Sequence, residues 1–138
     1  MDEIKTTGDR YGLLAVSYAK KLIETKQQPS SKGWEAEASK IFLSDSLIKK
    51  SCLKNCFLGI CEEGLINNIP KGKYTTSRKN KNYGIAAIEI LSKNDEHKNQ
   101  PLQLWEEIPG HPNTYNHQMH VVCALWNAGM IHTDNTYL

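Results

Sequence analysis

Nowhere in its 138 residues does this chain sustain the apolar–polar alternation of a half-buried strand. Its apolar residues recur instead at three- and four-residue intervals, the spacing of one helix face. That confines the fold to helices packed on helices. Tyr11, Leu14, Ala15, Tyr18 and Leu22 share such a face behind Thr6, which can cap the helix with Asp9 three residues on. Gln27 to Ser31 ends this helix and caps a second, whose stripe is Trp34, Ala38, Ile41 and Phe42. No Gly or Pro occurs between Trp34 and Leu58, so breaks are expected at Ser44-Asp45-Ser46 and at Ser51 to Asn55.

Phe57, Leu58, Ile60 and Cys61 make a short, strongly apolar helix that Gly64 ends. Residues 67–82 are polar and basic, with Pro70 and Gly72, and read as a long loop or a small hairpin. Ser77 or Asn80 can cap the following helix, with Tyr83, Ala86, Ala87, Ile90 and Leu91 inward. A short helix over Pro101–Ile108 presents Leu102 and Trp105. The last helix runs from about Tyr115 to Ala128, with Met119, Val122, Leu125 and Trp126 inward. Gly64-Leu65-Ile66 and Gly129-Met130-Ile131 repeat one device, a left-handed glycine cap followed by apolar residues. The expectation is an all-α chain of five to seven helices, one domain over residues 1–138.

The net charge is +2 at pH 7, unevenly spread. Residues 1–48 carry seven basic and seven acidic groups. Residues 49–81 carry eight basic groups against Glu62 and Glu63, and beyond them Lys93 and Lys98 face six acids. The longest apolar run is six residues, Val121 to Trp126, against the roughly 20 that a membrane helix needs. With the polar start Met1 to Lys5, this predicts a soluble, cytoplasmic protein whose four cysteines are reduced.

Three segments carry a family resemblance: Phe57-Leu58-Gly59-Ile60-Cys61-Glu62-Glu63-Gly64-Leu65-Ile66, then Gly72-Lys73-Tyr74-Thr75, then Asn116-His117-Gln118-Met119 with Ala124-Leu125-Trp126. Over about residues 50–131 the chain resembles a group of small bacterial proteins of unknown function. The resemblance implies a bacterial cytoplasmic protein and brings no activity, cofactor or site residue with it.

Four groups of residues are candidates for chemistry. The basic segment supplies Lys71, Lys73, Arg78, Lys79 and Lys81, flanked by Tyr74 and Tyr83 and interleaved with Thr75, Thr76, Ser77, Asn80 and Asn82. Cations with neutral donors suit phosphate, and aromatic platforms would suit nucleic acid. The plainer reading is a solvated loop. His117 and His120 stand at i and i+3 on the last helix, within reach of one metal, with Cys123 nearby. Their spacing fits no closed zinc pattern, and a hydrogen-bonded histidine is the commoner outcome. Cys52, Cys56 and Cys61 read as small core residues. Glu62-Glu63 and Glu106-Glu107 are doublets whose members point about 100° apart on a helix. Glu62-Glu63 sits at a helix C-terminus, which the helix dipole disfavours, a hint of partner recognition.

The leading expectation is a binding module without catalysis or cofactor. Its basic loop, in solvent, would meet nucleic acid, a phosphorylated ligand or an acidic protein face. The alternatives are a small metal-assisted hydrolase on His117 and His120, and a homo-oligomer joining its acidic end to the basic loop of a second copy.

Overall fold

The computed structural model describes residues 6–132, and seven helices lie among them. They are α1 (Thr7–Thr25), α2 (Ser31–Ala38), α3 (Asp45–Ile48), α4 (Ser51–Glu62), α5 (Arg78–Lys93), α6 (Pro101–Glu107) and α7 (Gln118–Asn127). Single-turn α3 buries no residue, whereas α4 buries most of its length. No strand occurs among the described residues; one isolated antiparallel bridge joins Ile66 to Ile131.

Local chemistry sets the ends. The Thr6 hydroxyl accepts the Asp9 amide while the Asp9 carboxylate accepts the Thr6 amide, the reciprocal cap expected for α1. Ser30 caps α2 and Ser77 caps α5 in the same one-sided way, through the amides of Gly33 and Asn80. Of the two caps that the sequence offers, Ser77 is the one used, so α5 begins at Arg78 and the irregular segment after α4 ends at residue 77, not 82.

One hydrophobic core runs through all the longer helices, with Trp34, Tyr11, Phe57, Leu53 and Met119 wholly buried in it. Tyr18, Trp34 and Phe57 stack where α1, α2 and α4 meet, with centroids 5.0–6.1 Å apart. α4 packs along α5, and α1 along α7. Five expected inward positions are corrected, Ile41 and Trp126 among them, which are only half-buried. Leu102 is 58% exposed, and Leu104 is the core residue of α6 beside Trp105. On α5, Ile88 is buried where Ala86 and Ile90 are only half-buried.

The repeated glycine device has a structural purpose. Gly64 and Gly129 both adopt φ +71°. The Gly64 amide bonds the Cys61 carbonyl and the Leu65 amide the Ile60 carbonyl; Gly129 to Trp126 and Met130 to Leu125 repeat the pattern. The two caps then pair with each other. His132 N–H donates to Leu65 C=O at 2.7 Å and Asn67 N–H to Met130 C=O at 2.9 Å. The C-terminal ends of α4 and α7 are thus tied by a bridge that both caps aim. At Gly129 a Cβ would meet nothing within 4 Å among the described residues, so Gly129→Ala isolates the backbone cost of a left-handed residue. It should destabilise by about 1 kcal/mol. Gly64→Ala should cost more, because its Cβ would stand 2.7 Å from the Lys71 Cγ. Chemical denaturation of both variants checks the order.

Among the described residues, no helix is long and apolar enough to cross a membrane.

Candidate functional site

Glu62, the last residue of α4, organises the segment that follows it. Its Oε1 accepts the Tyr74 amide at 2.8 Å and the Thr75 amide at 3.2 Å. Its Oε2 accepts the Lys81 ammonium at 2.6 Å and the Arg78 guanidinium at 3.2 Å. Four donors, two from the returning loop and two from the first turn of α5, therefore converge on one buried carboxylate. The hydrogen bond from Lys81 and those from the two amides hold its pKa down to about 2, against the opposing pull of burial. Lys81 also reaches the Glu63 carboxylate at 2.6 Å, and the two carboxylates raise the lysine pKa. The unfavourable placement of two acids at a helix C-terminus is offset by this cation, supplied from the neighbouring helix.

The loop so tied forms one wall of a cleft of about 550 Å³, lined by Ser31, Asn55, Leu58, Glu62, Lys73 to Thr76 and Arg78. The Thr75 hydroxyl donates to Asn55 Oδ1 at 3.0 Å and accepts the Ser77 amide at 3.1 Å, which fixes its rotamer at the rim. The Tyr74 hydroxyl donates back into its own loop, to the Pro70 carbonyl at 2.7 Å.

The seven residues expected to form a solvent-facing basic surface separate into two groups. Lys71, Lys73, Arg78 and Lys79 are exposed, and Tyr74 is half-buried. Of these, Lys73, Tyr74 and Arg78 line the cleft. The expectation of a wholly solvated set is corrected for the other two. Lys81 is only 7% exposed, because α5 begins early enough to place it against Glu62. Tyr83 is buried edge-on against Trp105, with centroids 5.1 Å apart. Lys71 lays its aliphatic stem across Gly64. Sequence reasoning missed Ser31, Asn55 and the central place of Glu62, for which the misplaced helix-end charge was the only signal.

Residues 8–132 match the model of a family of unknown function, DUF6979. The chain belongs to this family. No curated protein and no solved structure matches it. Membership in DUF6979 assigns no chemistry to the cleft.

The remaining candidates sit elsewhere. The rings of His117 and His120 lie 5.3 Å apart at the start of α7, packed with Tyr11 and Tyr115. His117 takes a left-handed conformation, φ 68°, and its Nδ1 is buried with no hydrogen-bond partner among the described residues. Burial lowers the pKa of both histidines. Among the described residues, no group of three His, Cys, Asp or Glu side chains stands close enough to hold one metal ion. All four cysteines are free, and Cys56, Cys61 and Cys123 are buried. Desolvation pushes the Cys56 and Cys123 thiols up to about 12, so both are protonated thiols at neutral pH. Glu106 is exposed, and Glu107 pairs with His97. None of these lines the cleft.

Proposed function

We propose that this protein is a binding module of one helical domain, whose cleft between the 67–77 segment, α4 and the start of α5 takes a compact phosphate-bearing ligand. The observation that carries the reading is the charge arrangement around Glu62. Lys81 and two backbone amides already satisfy that carboxylate, so Arg78 is surplus to it. The Arg78 side chain is 71% exposed and engages Glu62 through one nitrogen, leaving the rest of its fork for a ligand. Lys73 adds a second cation, and Ser31, Thr75, Thr76 and Asn55 add neutral groups. The volume is that of a small-molecule site.

The same geometry favours a compact ligand over nucleic acid. Single-stranded binding draws on aromatic platforms facing solvent. Tyr83 faces Trp105, and Tyr74 is fastened to its own loop. Binding is favoured over catalysis because the carboxylate in the cleft is held ionised and saturated by donors, which makes it a poor general base. The four unpaired cysteines support a reducing, cytoplasmic setting.

Thermal-shift titrations at low ionic strength test this, using inorganic phosphate, a small phosphate monoester, and short RNA and DNA. Phosphate and the monoester should raise the melting temperature, as any ligand of the native state does. Lys73→Glu combined with Lys79→Glu should remain folded with a melting temperature near wild type, and should lose the shift. The loss should be greatest at low salt, where screening is weakest. A wild-type protein indifferent to phosphate and the monoester would sink the reading, and a response to RNA or DNA alone would transfer the site to nucleic acid.

A further inference from the structure

A second cavity, of about 230 Å³, lies on another face, between the first turns of α1, the 94–100 connector and α7. Its walls are stitched together. Asn127 Nδ2 donates to the Lys98 carbonyl at 2.9 Å and to Asn99 Oδ1 at 3.0 Å, and the Cys123 thiol points to the His97 carbonyl. These bonds bind the connector to α7 and leave open the space between that seam and α1. Gly8 brings α1 against the imidazole of His120: a Cβ there would stand 2.5 Å from Nε2.

The hydrogen bonds around His120 point to one ring nitrogen as the carrier of its proton. The Tyr115 hydroxyl accepts the His120 backbone amide at 2.9 Å, so its own hydrogen is free to point at His120 Nδ1, 2.6 Å away. Nδ1 is then an acceptor, and the neutral ring carries its proton on Nε2. That N–H has no protein partner among the described residues and lies at Gly8, on the cavity wall. The wall also presents Lys98, whose ammonium pairs with Asp95 at 3.5 Å, and Asp9, whose Oδ2 accepts the Thr6 amide and whose Oδ1 has no hydrogen-bond partner among the described residues, beside the uncharged surface of Gly12, Pro101, Cys123 and Ala124. Cys123 contributes as an apolar thiol.

We propose that this cavity is a binding site for a small zwitterionic amino acid. Its carboxylate would accept from His120 Nε2–H and from Lys98, its ammonium would donate to Asp9, and its short side chain would lie against Ala124 and Pro101. A donor, a cation and an anion around a cavity of about 230 Å³ match both ends of such a molecule. A simple carboxylate would leave Asp9 with only the Thr6 amide, and a simple amine would leave the His120 Nε2–H without an acceptor. The site is independent of the phosphate cleft and shares no residue with it.

Nitrogen-15 NMR of the full chain tests the proposal in two steps. In the ligand-free protein, His120 should show the Nε2–H tautomer. A proton on Nδ1 would overturn the assignment whatever binds. Alanine is then titrated, with acetate and methylammonium as controls. Saturable shifts at Gly8, Asp9, His120 and Asn127 are expected with alanine, and markedly weaker ones with either control. Asp9→Asn, which can still cap α1, should weaken alanine binding about fivefold, the upper range for a partly exposed ion pair. Failure of alanine to saturate, equal binding of acetate, or an unaltered Asp9→Asn affinity would each reject the site.

Discussion

Lys81→Met should destabilise the protein by about 3–5 kcal/mol, the loss that follows when one partner is taken from a buried ion pair. The methionine fills the space of the lysine stem, so the effect isolates the ammonium. Without it the Glu62 carboxylate, 8% exposed, keeps only the exposed Arg78 and two amides as donors. A domain of ordinary stability has about 5–15 kcal/mol in hand, so the variant should melt far earlier, and it should lose the order of the loop with it. The acid side of the stability curve gives a companion measurement. Glu62 titrates near 2 in the fold against 4.5 when unfolded. Its contribution is therefore complete above about pH 4.5 and disappears as pH falls towards 2, because the unfolded chain then binds the extra proton. Glu62→Gln should flatten that limb. Urea melts at several pH values, with wild type and both variants compared, measure the two effects together. A Lys81→Met protein as stable as wild type would show that the pair does not organise this region.

Gly59→Ala should cost about 3 kcal/mol or more through a different cause. A Cβ on Gly59 would stand 2.4 Å from the Lys81 Cβ and 2.6 Å from its Cα. Backbone cannot turn aside as a flexible side chain can, so α4 and α5 would have to separate. Separation also lifts Lys81 off Glu62, which adds an electrostatic loss to the steric one. Alanine is otherwise the better helix former, so intrinsic propensity would predict the opposite sign. Gly129→Ala, which would meet no atom of the described residues within 4 Å, is the internal contrast. Gly59→Ala melting as wild type does would mean that the two helices are not in close contact at this point.

The helices were legible because a 3.6-residue repeat of apolar side chains is a local signal. Thr6 with Asp9, Ser30 and Ser77 are written in consecutive residues, and so are the glycine caps at 64 and 129. What pairs across space was not legible. Nothing near Gly64 or Gly129 says that the two caps bridge each other through Leu65 and Met130. Lys81 reads as one more cation in a basic run, and only its place on the inner face of α5 makes it the partner of Glu62. Tyr83 is misread for the same reason: an aromatic beside lysines suggests a stacking surface until Trp105 is found across from it. On α6 the period itself is ambiguous over seven residues, and Leu102 and Leu104 exchange roles. The cleft was visible in part, through Lys73, Tyr74 and Arg78. Ser31 and Asn55 come from helices far away in sequence and carry no mark of membership.

Arg78 is held beside Glu62 yet stays available to an anion, and phosphate binding in the cleft depends on it. The most direct test is the Arg78 guanidinium signal in nitrogen-15 NMR as inorganic phosphate is added at low ionic strength. A saturable shift of the Arg78 Nε–H together with the amides of Thr75 and Thr76 is expected, abolished in Arg78→Gln while Lys81 remains on Glu62. Shifts that never saturate and are shared equally by every exposed lysine, with Arg78 unmoved, would contradict it.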